Sequence, residues 1–187
     1  MNDLSSRWAL SALVSEPLSP ASRAVRRVIT GQDRSGRSVF VIDEEVEPIL
    51  SSNGLRYHLI WGTDTVPELP TDGVPNFSYA RFPLPGGVRV HVSERPPANS
   101  GPQETPGQLP LDNGAIVKMD PETGMHMSNS VDIVFVISGE VGVEQDDGAQ
   151  VVLRAGDVLV QNGAMHTWRW RGPCRLGFVF VGAHRKA

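Results

Sequence analysis

The residues best suited to chemistry lie in one short run, His126-Met127-Ser128-Asn129-Ser130-Val131-Asp132, and in a second histidine, His166. Positions 126, 128 and 132 share parity, so an unbroken strand would point all three to one face. A neighbouring strand carrying His166 would complete a cluster of two imidazoles and one carboxylate. That donor set suits a borderline divalent ion (iron, manganese, nickel, copper or zinc), and three protein ligands leave positions open for water and substrate. The same residues also admit a metal-free polar pocket. Asp132 is shorter than Glu, and Ser128 is a poor ligand that can bond water, a substrate oxygen or backbone instead. In a barrel interior Asp132 requires either a cation or hydrogen-bond donors, because an unpartnered buried carboxylate is costly.

Other residues acquire roles only through their neighbours. Met165, with Met125 and Met127, flanks the candidate ligands and suits either an apolar substrate wall or core filling. Trp168 and Trp170 share parity with His166 and would extend the same inward face. His91, in Val90-His91-Val92, is a candidate to enter the interior from an N-terminal strand; His58 and His184 are weaker candidates, and Arg81 and Arg89 are possible carboxylate anchors. No glycine-rich phosphate loop, paired-cysteine motif or nucleophile elbow is present in the sequence, which disfavours nucleotide-dependent and serine-hydrolase chemistry.

The elements that must position these groups read as strands. The chain has 187 residues, 40% hydrophobic, with 19 glycines and 15 prolines, a composition for one β-rich domain and against a helical bundle. Leu4, Trp8, Leu10, Leu13 and Val14 have loosely helical spacing before Pro17 and Pro20, predicting one short helix. Val25 to Thr30 and Ser38 to Ile42 flank Asp33-Arg34-Ser35-Gly36 and predict a hairpin. Leu55 to Trp61, Tyr79 to Phe82 and Val88 to Glu94 read as extended. Residues 96 to 114 carry five prolines and three glycines and read as a long exposed connection. Beyond Asn113 short strands follow closely: Val131 to Ile137, Val141 to Glu144, Gln150 to Leu153, Val158 to Gln161, the Met165 to Trp170 run, and Arg175 to Val181. Turn formers separate them.

Net charge is -4 with no basic block, so neither nucleic acid nor an anionic membrane surface is an expected partner. One cysteine, Cys174, forms no internal disulfide and reads as a small strand-end hydrophobe. No basic stretch followed by an apolar run opens the sequence, and no segment approaches transmembrane length, so a soluble, cytoplasmic protein is expected.

Residues 124 to 182 resemble the cupin superfamily. In that family's first motif a His-x-His pair is followed by a carboxylate and then a glycine. Here His126, Ser128 in place of the second histidine, Asp132 in place of the usual glutamate, and Gly139 keep the spacing. The second motif resembles Gly156 through His166, one residue shorter, without the usual proline and with Trp170 where asparagine would stand. The resemblance implies an all-β double-stranded β-helix, or jelly-roll, barrel over residues 80–187. Residues 1–79 would form an N-terminal extension whose hairpin strands pack on the barrel or on a partner, within a single compact domain. It also implies a homodimer and a metal-dependent enzyme with His126, Asp132 and His166 as ligands. Ser128, Met165, Trp168, Trp170 and His91 would line the pocket for a small, apolar or aromatic organic substrate. Oxygenase-like oxidoreductase, decarboxylase, isomerase and lyase chemistry all remain open, beside a non-catalytic ligand-binding or sensor cupin.

Overall fold

The computed structural model describes residues 24–50, 55–75, 77, 80–95 and 115–186. Every regular element among them is a strand. In chain order these are β1 (Val25–Gln32), β2 (Ser38–Val46), β3 (Ile49–Leu50), β4 (Arg56–Thr63), β5 (Val88–Arg95), β6 (Ile116–Met119) and β7 (His126–Ser128), followed by β8 (Ser130–Ser138), β9 (Glu140–Gln145), β10 (Gln150–Arg154), β11 (Val158–Asn162), β12 (His166–Trp170) and β13 (Cys174–Gly182). The helix expected near residues 4 to 14 and the connection 96–114 lie outside the described residues.

All pairings are antiparallel, in a five-stranded sheet ordered β10-β9-β12-β7-β6, a six-stranded sheet ordered β11-β8-β13-β5-β4-β3 and the separate hairpin β1-β2. The two large sheets form the jelly-roll barrel and share a core that includes Val134, Val136, Val141, Leu176, Phe178 and Phe180. Alternation builds it: along β8, Ser130, Asp132, Val134 and Val136 are buried while Phe135 and Ile137 are exposed. Each fully buried Leu, Val or Phe contributes on the order of 1.5–3 kcal/mol. The inner face is graded, with Ser130, Asp132 and His166 toward one end and Val136, Leu176 and Trp170 toward the other.

Two expectations are corrected. His126 to Asp132 is not one strand, because the chain leaves the five-stranded sheet at Asn129 and enters the six-stranded one. The Asn129 N–H donates to Ala115 O at 2.7 Å and its carbonyl accepts from Ala183 N at 2.9 Å, so neither group continues a straight ladder. Ser128, Ser130 and Asp132 nevertheless all remain buried. The described part of Tyr79 to Phe82 is not a strand either. The Ala80 carbonyl accepts from the Arg89 side chain, and Pro83 and Pro85, which follow, lack the N–H a ladder needs. Conversely, β3 and β6 are short strands that the sequence pattern did not reveal.

Gly139 turns β8 into β9 with φ +76°, and a Cβ there would lie 2.3 Å from Pro173 O. Gly148 has φ +81° with open space around it. Gly139→Ala is therefore expected to lower unfolding free energy by about 2–3 kcal/mol and Gly148→Ala by about 1 kcal/mol. Urea denaturation checks this; equal losses would show that the Pro173 backbone yields.

Candidate functional site

His126 of β7 and His166 of β12 are direct cross-strand partners, with ring centroids 4.4 Å apart. Each ring is locked by a carbonyl two residues upstream: His126 Nδ1–H donates to Gly124 O at 3.0 Å and His166 Nδ1–H to Ala164 O at 2.9 Å. With those protons on Nδ1, each Nε2 presents a lone pair, the usual arrangement of a ligating imidazole. Burial, reinforced by His166 and by the positive charge of Arg81, pushes His126 down to about 4 against the pull of the Gly124 carbonyl. Burial also lowers His166; the Ala164 bond opposes this and Arg81 adds to it. Both rings are neutral at pH 7.

Asp132, only 5% exposed, faces the interior from β8. Ser130 Oγ donates to its Oδ1 at 2.5 Å, and Ser128 Oγ lies 2.8 Å from Ser130 Oγ, so the two hydroxyls form a short chain ending on the carboxyl group. Burial raises Asp132 to about 6, partly opposed by the Ser130 bond and Arg81. Sequence reasoning missed Ser130, although its parity with Ser128 and Asp132 was the available signal.

The two imidazoles fit a divalent ion in donor type, tautomer and charge. As arranged, no group of three or more His, Cys, Asp or Glu side chains among the described residues is placed to hold one.

Trp168 stands next to this pair, its ring 5.9 Å from His166 and 5.8 Å from Phe178. Trp170 stacks beyond Trp168 and packs on the apolar core, away from the histidines. Met165 is half-buried just before β12, while Met125 and Met127 are half-buried beside His126. His91 enters the interior from β5, edge-on to Phe180 at 5.3 Å, with neither ring nitrogen hydrogen-bonded. Burial, then Arg81 and Arg89, push it down to about 3. His58 is buried elsewhere, with Nδ1 donating to Val46 O and Nε2 3.7 Å from Glu94, and His184 is exposed. Cys174 lies in the core, and burial raises its thiol to about 11, leaving it inert.

The two arginines separate clearly. Arg89 is fully buried and its donors are engaged by Ala80 O, Thr63 O, Val88 O and the Asp64 carboxylate, making it a clamp on the β4–β5 connection. Arg81, one residue beyond the clamped Ala80, has its guanidinium carbon 4.6 Å from the Tyr57 ring centroid and 5.1 Å from that of Phe82.

The family description matching this region is the EutQ-like cupin domain, over residues 125–175. Phomopsin biosynthesis cluster protein C' of Diaporthe leptostromiformis is 30% identical over 176 residues, covering 90% of this chain and 82% of that protein. The chain belongs to the cupin superfamily. A cupin-domain-containing oxidoreductase of Neurospora crassa is 26% identical over 166 residues, with coverages of 85% and 72%. Among solved structures, ethanolamine utilization protein Q of Salmonella typhimurium is similar at 13% identity and TM-score 0.43, covering 87% of this cupin and all (100%) of that chain. No helix among the described residues is long and apolar enough to cross a membrane.

The raised Asp132 fixes a pH dependence. Its folded-state value, about 6, lies above the ordinary value near 4, so its contribution is fully present below about pH 4 and is lost as pH rises through 6. In metal-free protein, Asp132→Asn is therefore expected to gain stability relative to wild type between pH 4 and 6, by up to about 3 kcal/mol. Urea titrations at pH 4, 5, 6 and 7 check this; a relative gain that shrinks as pH rises contradicts it.

Proposed function

We propose that this cupin is a metal-dependent enzyme, of oxidoreductase type, acting on a small apolar or aromatic organic molecule inside the barrel. The observation that carries the reading is the facing pair His126 and His166, each with Nδ1 committed to a backbone carbonyl and Nε2 left as a donor. These imidazoles would hold a divalent ion, with Asp132 as the third ligand. The ion would supply Lewis acidity and, for a redox-active metal, electron-transfer capacity. The chain's own groups do the rest. Ser128 and Ser130 orient Asp132, Trp168 presents an aromatic wall beside His166, and Phe178 and Phe180 exclude water from the barrel behind it. The oxidoreductase names of relatives support the reaction class.

A non-catalytic ligand-binding or sensor cupin is the second reading. It is favoured by the absence of a three-ligand group among the described residues and by the serine partner of Asp132. Elemental analysis of tag-free protein separates the two. The metal reading expects about one transition-metal ion per chain, reduced at least several-fold in His126→Ala and His166→Ala variants. Wild-type protein that stays metal-free after reconstitution with each ion, while a small molecule raises its melting temperature, establishes the second reading.

A homodimer belongs to the same proposal. Hairpin β1-β2 forms its own two-stranded sheet and exposes Val39, Phe40 and Val41, which suits pairing against a neighbour's sheet. Sedimentation velocity is expected to show a dimer that Phe40→Asp converts to monomer; an unchanged dimer removes the hairpin from the interface.

A further inference from the structure

Among the described residues, Arg81 is a half-buried cation at the edge of this interior for which the fold supplies no ion pair. Its Nε is buried without a hydrogen-bond partner, and among the described residues no carboxylate forms an ion pair with it. A buried donor left unpaired is costly, and an arginine presents a fork matched to the two oxygens of a carboxylate. Two features keep the side chain in place: Arg89 Nε holds Ala80 O at 3.1 Å, and the guanidinium lies against Tyr57 and Phe82. Position links it to the site. Phe82 packs on Phe180 at 5.0 Å, and Phe180 is the cross-strand partner of Asp132. Phe180 in turn lies 5.3 Å from His91, so the guanidinium sits against the ring cluster that borders this interior.

We propose that Arg81 is the substrate anchor of this cupin and that the substrate is a small carboxylate, its carboxyl group held by the guanidinium and its apolar body lying toward Phe180 and Trp168. The inference rests on the reading that the interior beside His126, Asp132 and His166 is the substrate site, and it names the substrate class. Arg89, the other arginine considered as an anchor, is excluded by its own bonds. Removing Arg81 is expected to weaken recognition of the anion without touching either imidazole.

Isothermal titration of acetate, benzoate and octanoate, with benzamide as the neutral counterpart of benzoate, tests this on the full chain as purified. At least one carboxylate is expected to bind wild type, and benzoate to bind more tightly than benzamide. Arg81→Met is expected to weaken the bound carboxylate roughly tenfold or more, with Arg81→Lys intermediate. Binding of none of the three carboxylates, equal affinity for benzoate and benzamide, or wild-type carboxylate affinity in folded Arg81→Met each overturns the anchor. If Arg81→Met does not fold, the Arg81→Lys titration and the benzoate–benzamide comparison decide. Metal content measured on the same samples keeps the two readings apart. Arg81-dependent carboxylate binding by a protein that takes up no metal sustains the anchor and removes the ion, whereas a loaded protein indifferent to Arg81 does the reverse.

Discussion

The site depends on one crossing of the chain from sheet to sheet at Asn129. A straight strand from His126 to Asp132 would keep all its residues in one sheet, whereas the observed break places His126 in one wall of the barrel and Asp132 in the other. Four bonds hold the crossing. Asn129 uses its N–H on Ala115 and its carbonyl on Ala183, and Arg185 reaches back to Asn129 Oδ1 at 3.0 Å and Ser128 O at 2.9 Å. Gly163 closes on the same place, where a Cβ would sit 2.9 Å from Ser128 O, so the loop leading to His166 can pack against the crossing only without a side chain. The position of both histidines relative to Asp132 follows from this corner.

From the corner inward, polarity falls along the barrel. Ser130, Asp132 and His166 give way to Val134, Val136 and Trp170, and the apolar end supplies the burial that stabilises the fold while the polar end bears the desolvation cost. Hydrogen bonds offset part of that cost: the serine chain reaches Asp132, and backbone carbonyls reach the His126 and His166 imidazoles. What they leave uncompensated appears as a raised Asp132, depressed histidines and the unpartnered atoms of Arg81 and His91.

Much of this was legible from residue type and parity. The alternation that fixes β8 and β13, the glycine turns and the motif spacing around His126, Asp132 and His166 are local signals, and local signals survive in a single sequence. The hairpin β1-β2 was legible for the same reason. The break at Asn129 was not, because it is imposed by Ala115 and Ala183, partners distant in the chain. Nor could the sequence separate Arg81 from Arg89. Both are arginines near apolar residues and, in the fold, each lies over an aromatic ring; only the fold shows that Asp64 and three carbonyls engage Arg89, whereas Arg81 has no ion pair among the described residues. Nothing in residue type marks Ser130 as part of the site; only the fold brings its hydroxyl to the buried Asp132 carboxyl group.

Charge balance ties the interior together. The imidazoles are neutral and buried Arg89 is paired with Asp64, so Arg81 and Asp132 are the charged groups left to balance there, with burial holding Asp132 up at about 6. A divalent ion beside the two histidines would favour the ionised carboxylate, as any nearby cation does. The interior would then carry two positive charges from the ion and one from Arg81 against a single negative charge from Asp132. Such an excess of positive charge favours entry of an anion with the ion, and Arg81, with no ion pair among the described residues, is where that anion would bind. The proposed metal site and the carboxylate anchor thus favour each other's occupancy through the electrostatics of one barrel.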